Sequence, residues 1–313
     1  MKLTTLIFSA LAVLSAVPLT AQPAGPNADI VKATLLADTT AIKPDTTFTL
    51  GVLFKVQPGW HIYWRNPGSS GLATKVRWAM PEGSSVSDTL YPAPWAFTAP
   101  GDIVSYGYED EILLMTEARL PASAKGEIEL NAKASWLMCS DRCIPGKQDI
   151  SLKLPVGDGQ PANAELFAKY KKQLPKHVDG APAGAKLTPG ADGKVTVQIM
   201  VVAKAGEMLA AEDQHPDVRQ VFFFPDNLDG AIIDTPKLSA PDGSVTIGGK
   251  MIKAYSKPAT ISYTLESGTA APAPQRVAGV LVSQSFDSTG KSTGFEATEY
   301  DAAPAATKGS VRK

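Results

Sequence analysis

The two cysteines of this 313-residue chain, Cys139 and Cys143, lie close together in the segment ASWLMCSDRCIPG (134–146). A cysteine pair at this spacing supports three kinds of chemistry. It can form a structural disulfide, bind a metal, or act as a redox couple that alternates between dithiol and disulfide. The compartment, the strand geometry and any further ligands decide among these three, so all of them are open at this point.

The amino terminus indicates the compartment. Lys2 precedes an apolar run from Leu6 to Val17, and the small residue Ala21 offers a cleavage point, which predicts a secretory signal peptide over 1–21. The run is shorter than the about 20 apolar residues that span a bilayer, and no later segment approaches that length. We therefore expect an exported chain without a membrane span, located in a bacterial periplasm, where a close cysteine pair is a disulfide by default.

Strand alternation and loop size both bear on the role of the pair. The segment EIELNAKASWLMC alternates between an apolar and a polar side, and Cys139 belongs to the polar side, so its sulfur is predicted to face away from the core. Closing so short a loop contributes only about 2 kcal/mol, against about 4.7 kcal/mol for a loop of about 100 residues. An exposed pair that stabilises the fold so little favours a redox couple that another protein's thiolate can attack.

A metal site needs more ligands than the two sulfurs, because zinc and copper sites normally use three or four. The histidines are His61, His177 and His215, and none has a ligand-like spacing to the cysteines. We therefore predict no metal and no cofactor. A copper site made of the two cysteines and His61 stays as an alternative.

Composition limits the fold class and the partners. The net charge is −1, with charges mixed along the chain and no basic stripe, which argues against a nucleic-acid partner. The 25 prolines and 26 glycines divide the chain into short segments, a pattern typical of all-β proteins. The length predicts two domains.

Periodicity places these domains along the chain. Alternating apolar residues mark strands from FTLGVLFKV onward and again from KVTVQIMVV onward. We predict β-sandwich domains over 28–157 and 191–300, a short helix and a linker over 158–190, and a disordered tail over 301–313. Asn163 is predicted to cap the helix, which ends before Pro175. One helical face carries Leu166, Phe167, Tyr170 and Leu174.

Four segments resemble the amino-terminal periplasmic domain of the DsbD family of thiol:disulfide interchange proteins, especially its ScsB-like branch. They are VQPGWHIYWRNPGSSGL, YPAPWAF, YGYEDEILL and ASWLMCSDRCIPGKQDISLKLPV, and the resemblance covers about 30–157. The later strings VFFFPD and RVAGVLV are similar to the rest of the ScsB-like periplasmic region. The resemblance implies an immunoglobulin-like fold, so we predict two immunoglobulin-like β-sandwich domains in tandem.

The resemblance also implies a direction of electron flow and a role for each sulfur. Electrons would pass from a membrane-embedded partner through the cysteine pair to periplasmic thioredoxin-like proteins. Cys143 would form the mixed disulfide with the partner, and Cys139 would resolve it. The family shields its cysteines with a mobile aromatic loop, and the corresponding segment here is PAPWAFTAPG, with Trp95 or Phe97 as the lid. The alternative is that these two aromatic rings fill the core.

Four further residues near the cysteines have two interpretations each. His61 and Tyr63 share one face of their strand and are expected to lie on the same side as the cysteines, where they assist proton transfer or are ordinary edge residues. Glu109 and Asp110 tune the thiols or form a turn.

Family members of this type continue into transmembrane helices and a thioredoxin-like domain, whereas this sequence ends at Lys313. We therefore expect a separate membrane thiol reductant. Two other hypotheses stay open: a non-enzymatic periplasmic binding or assembly module with a structural disulfide, and a copper-handling protein. The second domain contains no cysteine and is interpreted as a binding or spacer domain.

Overall fold

The computed structural model describes most of the first half of the chain and the strands of the second half. The described residues are 29–99, 103–179, 184–190, 194–202, 208–210, 218–226, 232–233, 236–239, 245–247, 250–252, 254–255, 258–266, 277–287, 289 and 292–302. The predicted signal peptide lies outside them. So does the predicted tail, except that its first two residues, 301 and 302, belong to a strand.

Ten strands in the first half form two facing sheets. One sheet has the order β1-β2-β8-β5, and the other has the order β10-β9-β3-β7-β6, with β4 also paired to β9. The strands are β1 (Val31–Ala37), β2 (Thr47–Val56), β3 (His61–Gly68), β4 (Lys75–Ala79), β5 (Ser85–Val86), β6 (Trp95–Ala99), β7 (Ile103–Tyr108), β8 (Glu111–Arg119), β9 (Glu127–Cys139) and β10 (Cys143–Pro155).

The core of this sandwich lies between the two sheets and follows the alternation of the sequence. Every second residue of β2 from Phe48 to Val56 is buried, and the same holds for β9 from Leu130 to Met138. Trp136 of β9 meets Phe54 of β2 edge to face, with ring centroids 5.5 Å apart. The strand patterns predicted from the sequence are confirmed here, because a face that packs on another sheet must be apolar at every second position.

The helix α1 (Ala164–Lys171) packs on the first sheet. Phe167 and Tyr170 are buried, and the Tyr170 hydroxyl donates to the backbone oxygen of Glu111 at 2.7 Å. Asn163 lies at the N-cap position of this helix, as predicted, but its side chain makes no capping hydrogen bond. Its backbone is left-handed, with φ of 52°, instead of the extended conformation usual for a capping residue, and its side-chain NH2 group donates to the backbone oxygen of Ala37 at 2.9 Å.

The second half contains thirteen described strands. Its larger sheets have the orders β11-β23-β22-β15-β14-β20 and β12-β13-β21-β16, with β17 on β21, and β18 pairs with β19. The strands are β11 (Lys176–His177), β12 (Lys186–Pro189), β13 (Val195–Val201), β14 (Met208–Ala210), β15 (Val218–Pro225), β16 (Ile232–Ile233), β17 (Lys237–Ser239), β18 (Val245–Ile247), β19 (Lys250–Ile252), β20 (Ala254–Tyr255), β21 (Ala259–Glu266), β22 (Val277–Phe286) and β23 (Ser292–Ala302).

The predicted all-β class is confirmed, and α1 is the single helix among the described residues. Strands β11 and β12 lie within 158–190, where the sequence predicts only a helix and a linker. They have two and four residues, too few to show an alternation of their own, and they form by pairing with β23 and β13. The division into domains at the predicted boundaries stays a prediction. No helix in the described part of the chain is long and apolar enough to cross a membrane.

Strand β3 joins the first sandwich to the sheets of the second half. Arg65 donates to both carboxylate oxygens of Asp226, at 2.7 and 2.8 Å, and also to Glu299. The side-chain amide of Asn66 donates to the backbone oxygen of Pro225. Burial raises the pKa of the Asp226 carboxyl although Arg65 acts in the opposite direction, so the ion pair offsets the cost of desolvation only in part.

Replacing Arg65 by alanine is expected to lower the free energy of unfolding by about 2 to 3 kcal/mol at pH 8, because two partly buried carboxylates lose their partner. The loss should shrink at pH 5. Without Arg65 the already raised pKa of Asp226 rises further, so acidification neutralises the unpaired carboxylate. Chemical denaturation at both pH values measures the effect.

Arg119→Ala is the matched control, because Arg119 pairs with Asp45 where 49% and 64% of the two side chains are exposed. Exposed pairs contribute about 0 to 1 kcal/mol. Equal losses in the two variants would show that the Arg65 contact does not join the two parts of the chain.

Candidate thiol-disulfide site

The cysteine pair closes the tip of the β9–β10 hairpin. Cys139 is the last residue of β9 and Cys143 the first of β10, and the two are directly opposite each other. A disulfide joins them, with their Cα atoms 4.2 Å apart. The backbone N–H of Ser140 donates to the oxygen of Arg142 at 3.1 Å within the connecting turn. The long hairpin therefore holds the bridge at the end of two strands that are anchored in the core.

The two cysteines differ sharply in exposure. Cys143 is exposed, whereas Cys139 is only 2% exposed. Cys139 lies outside the main core cluster, which includes its neighbour Met138. The alternation therefore places Cys139 on the correct face of the sheet. The expectation that both cysteines are exposed is nevertheless wrong for Cys139. Its Cα partner on the other side is His61 of β3, and side chains that face each other across two strands lie in contact.

Tyr63 contacts the exposed cysteine. Its hydroxyl lies 4.0 Å from the Sγ of Cys143, although the side chain as a whole is buried. Gly71, with φ of 114°, passes so close that a Cβ there would overlap the Tyr63 ring. Burial raises the pKa of Tyr63, while a hydrogen bond with Ser105 acts to lower it. The phenol therefore keeps its proton at neutral pH and can donate it in a hydrogen bond.

His61 lies between Tyr63 and the hairpin formed by β6 and β7. Its ring meets Tyr63 edge to face at 5.1 Å and stacks on Phe97 at 4.8 Å with an interplanar angle of 16°. Burial lowers the pKa of His61. The imidazole next to Cys139 is therefore mostly neutral near pH 7, a state in which it can accept a proton.

The two aromatic residues of β6 have different environments. Phe97 is half-buried against His61, whereas Trp95 is 46% exposed. Neither residue fills the sandwich core, so the alternative interpretation from the sequence is wrong. The opposite face of this hairpin, at Ala96 and Thr98, borders a cavity of about 110 Å³ whose other walls include residues 221–224 of β15. The hairpin thus lies between the cysteine site and the second half of the chain.

Glu109 and Asp110 form the turn between β7 and β8. Asp110 has φ of 55°, and its backbone oxygen accepts a hydrogen bond from the N–H of Val56 at 2.7 Å. Both side chains are exposed, and neither forms a hydrogen bond or ion pair with another described side chain. Partial burial, with the neighbouring Asp110 charge, raises the pKa of Glu109. Their geometry is that of turn residues.

The structure adds residues that the sequence analysis did not select. Ser105 of β7 bonds to Tyr63 and also donates to the backbone oxygen of Ser70, and Gly71 makes room for the Tyr63 ring. The string NPGSSGL indicates a turn, but its contact with Tyr63 depends on the tertiary fold. In the described part of the chain, no group of three or more His, Cys, Asp and Glu residues is arranged to hold a metal ion.

Comparison with solved structures supports the fold. The crystal structure of the N-terminal periplasmic domain of ScsB from Proteus mirabilis is similar, with a TM-score of 0.55 and 20% identity. The match covers 88% of this chain and 95% of that one. Two further matches have much lower TM-scores: the major pilin subunit BcpA of Bacillus cereus (TM-score 0.25, 9% identity, 88% of this chain and 67% of that one) and a collagen adhesin of S. aureus (TM-score 0.21, 9% identity, 87% and 92%).

A search of the curated proteins finds no match. The family model described as "Thiol:disulfide interchange protein DsbD, N-terminal" matches residues 29–155. This range contains both sheets of the first sandwich and the disulfide hairpin. Residues 29–155 are therefore similar to the amino-terminal domain of DsbD, and this match confirms the resemblance found in the sequence.

Proposed function

We propose that this protein exchanges disulfides with other proteins through Cys139 and Cys143, and that Cys143 is the sulfur its partners meet. The observation that carries the proposal is the unequal exposure of the two cysteines. Cys143 is exposed at the tip of the hairpin, while Cys139 is 2% exposed beneath its neighbours. A partner sulfur approaching from solvent can therefore reach only one end of the bridge.

The exchange runs in two steps that move two electrons. In the reduced protein, the Cys143 thiolate attacks one sulfur of a partner disulfide, forms a mixed disulfide and releases the other partner sulfur as a thiolate. The Cys139 thiolate then attacks the Sγ of Cys143 and releases the partner's first sulfur. The partner leaves as a dithiol and Cys139–Cys143 is again a disulfide. A separate membrane thiol reductant would then return the two electrons.

Tyr63 and His61 are proposed to manage the protons of these steps. The Tyr63 hydroxyl, 4.0 Å from the Sγ of Cys143, can donate a hydrogen bond to the thiolate and stabilise it. The neutral imidazole of His61, opposite Cys139, can accept the proton that the Cys139 thiol must lose before it attacks.

Phe97 is proposed as the lid over Cys139 and Trp95 as a contact for the partner. Phe97 stacks on His61, which in turn lies beside Cys139. Trp95 is 46% exposed on the same strand as Phe97, and Leu72, which follows the Gly71 that contacts Tyr63, is 63% exposed. Exposed apolar and aromatic side chains near a reactive group are typical anchors of protein interfaces. The turn residues Glu109 and Asp110 are given no part in the exchange.

We also propose a compartment, a class of client proteins and a role for the region over 191–300. The protein acts in the periplasm, to which the predicted signal peptide over 1–21 directs it. Its clients are thioredoxin-like proteins, as the family of residues 29–155 suggests. The region over 191–300 serves to bind partners or to space the exchange domain.

The roles of the two sulfurs are tested with single-cysteine variants. We expect Cys139→Ala protein, reduced and then mixed with an oxidised thioredoxin-like protein, to form a stable mixed disulfide through Cys143, because no second sulfur is present to resolve it. Non-reducing electrophoresis and peptide mass mapping detect the adduct. Cys143→Ala is the matched control and should form at least about 10-fold less adduct, since the remaining sulfur is buried.

Equal adduct formation by the two variants would contradict the assignment of Cys143 as the attacking sulfur. A reduction potential of the wild-type pair below about −300 mV would instead favour a structural disulfide, since bridges of that potential resist physiological reductants.

Removing the Tyr63 hydroxyl tests its contact with Cys143. In reduced Tyr63→Phe protein, the pKa of the Cys143 thiol should rise, by up to about one unit, since one unit corresponds to about 1.4 kcal/mol and a hydrogen bond to a charged group contributes about that much. The pH dependence of alkylation of Cys143, followed in a Cys139→Ala background, measures the shift. An unchanged pH profile would remove Tyr63 from the mechanism.

Removing the Phe97 ring tests the lid. In reduced Phe97→Ala protein we expect Cys139 to react with iodoacetamide several-fold faster than in the wild type, because His61 loses the ring that holds it over the sulfur. Trp95→Ala is the control on the same strand and should leave that rate unchanged. Mass mapping of the alkylated cysteines separates Cys139 from Cys143. A faster rate in both variants would indicate general loosening of β6.

A further inference from the structure

Four cationic side chains lie on the outer face of the sheet that carries the cysteine hairpin. Strand β9 is flanked by β10 on one side and β4 on the other, and the registers align their residues in rows. In the row of Ser135, the partners are Lys75 and Lys147. In the next row, the partners of Lys133 are Arg77 and Asp149. We call Lys75, Arg77, Lys133 and Lys147 the cationic face.

The charge of this face is largely unbalanced. All four cationic side chains are exposed, and the one carboxylate in the two rows, Asp149, lies 3.3 Å from the ammonium of Lys133. Lys75, Arg77 and Lys147 form no ion pair with any described carboxylate. The whole chain has a formal net charge of −1. The cationic face is therefore a local concentration of positive charge on a protein whose other residues have a small net negative charge.

The cationic face is continuous with the exposed cysteine. Cys143 and Lys147 lie on the same face of β10, four residues apart, which is about 13 Å at a strand rise of about 3.3 Å per residue. The row of Arg77 lies about 20 Å away by the same measure. A standard protein interface covers about 800 Å² on each partner and spans such distances. A depression of about 450 Å³ lined by Arg77, Lys133 and Asp149 lies within this face.

We propose that the cationic face receives an acidic surface next to the reactive disulfide of a partner protein and steers that disulfide to Cys143. The inference rests on the proposed function and specifies its partner. A protein is favoured over a lipid surface or a nucleic acid because the face adjoins an exposed sulfur whose chemistry needs a second sulfur. Complementary charge mainly speeds association, and salt weakens the effect.

The test uses the full reduced protein and two synthetic peptides of equal length, one rich in glutamate and one rich in lysine. Each peptide carries one cysteine as a mixed disulfide with thionitrobenzoate. Attack of Cys143 on the peptide sulfur releases thionitrobenzoate, which is followed by its absorbance. Cys139 then resolves the adduct, so the peptide leaves as a thiol and the protein becomes oxidised. At low salt the acidic peptide should react at least about 10-fold faster than the basic one, and high salt should remove the difference.

Two charge-reversal variants locate the effect. Lys75→Glu/Arg77→Glu/Lys133→Glu/Lys147→Glu should abolish or invert the preference for the acidic peptide. Lys32→Glu/Lys55→Glu/Lys125→Glu/Lys172→Glu makes the same change in net charge at four other exposed lysines and should keep the preference. The uncharged reagent dithiodipyridine should react with all three proteins at similar rates, which shows that the thiols are intact.

The outcomes separate the two proposals. Equal rates with both peptides at low salt, or equal loss of preference in both charge variants, would overturn the cationic face as a docking surface and leave disulfide exchange in place. Binding to phosphatidylglycerol vesicles that needs the cationic face, together with equal peptide rates, would overturn it in favour of a lipid surface. Failure of the wild type to act on either peptide, while dithiodipyridine still reacts, would count against the proposed function itself.

Discussion

The register of strand β9 determines most of what this domain can do. Its even-numbered residues from Leu130 to Met138 enter the core, so its odd-numbered residues must face outward. Pairing with β10 sets Cys143 opposite Cys139, and pairing with β3 sets His61 opposite Cys139 on the other side. A shift of one residue would bury the charged side chains and expose the core. Core packing therefore fixes the position of the sulfur chemistry without any contribution from the disulfide itself.

The sequence predicts the local features of the site well, but it does not predict which distant residues lie against Cys139. The alternation of apolar and polar residues along a strand is a local property. The face of Cys139 and the shared face of His61 and Tyr63 can therefore be predicted from a few neighbouring residues. The neighbours of Cys139 come instead from segments far away in the sequence: His61 of β3 lies opposite it, and Phe97 of β6 stacks on His61. The same limit explains Asn163. Its residue type correctly predicts the N-cap position, but the left-handed backbone and the bond from its side-chain NH2 group to a carbonyl of β1 depend on the tertiary fold.

Strand β3 links the exchange site to the second half of the chain. Tyr63 touches Cys143, and two residues later Arg65 binds Asp226 and Glu299. The β6–β7 hairpin also lies between the disulfide site and the second half. Its Phe97 stacks on His61, and its Ala96 borders the cavity beside β15. Strand β3, which contacts the cysteines, and the β6–β7 hairpin, which contacts His61, therefore both also contact the second half. The second half, whose described residues contain no cysteine, therefore contacts the same two elements that surround the disulfide.

The net charge and the order of charges along the sequence do not predict where charge is concentrated on the surface of the folded protein. Positive residues on β4, β9 and β10 are separated by other segments in the sequence, where they look like ordinary solvated strand faces. The sheet brings them into two adjacent rows. The absence of a basic stripe along the chain therefore does not exclude a basic surface. Since the cationic residues lie on the outer face and the core residues on the inner one, recognition and stability can vary independently in this sheet. The exposed Cys143 lies at the end of the same strands, so the charge of this face contributes to the electrostatic potential on the approach to Cys143.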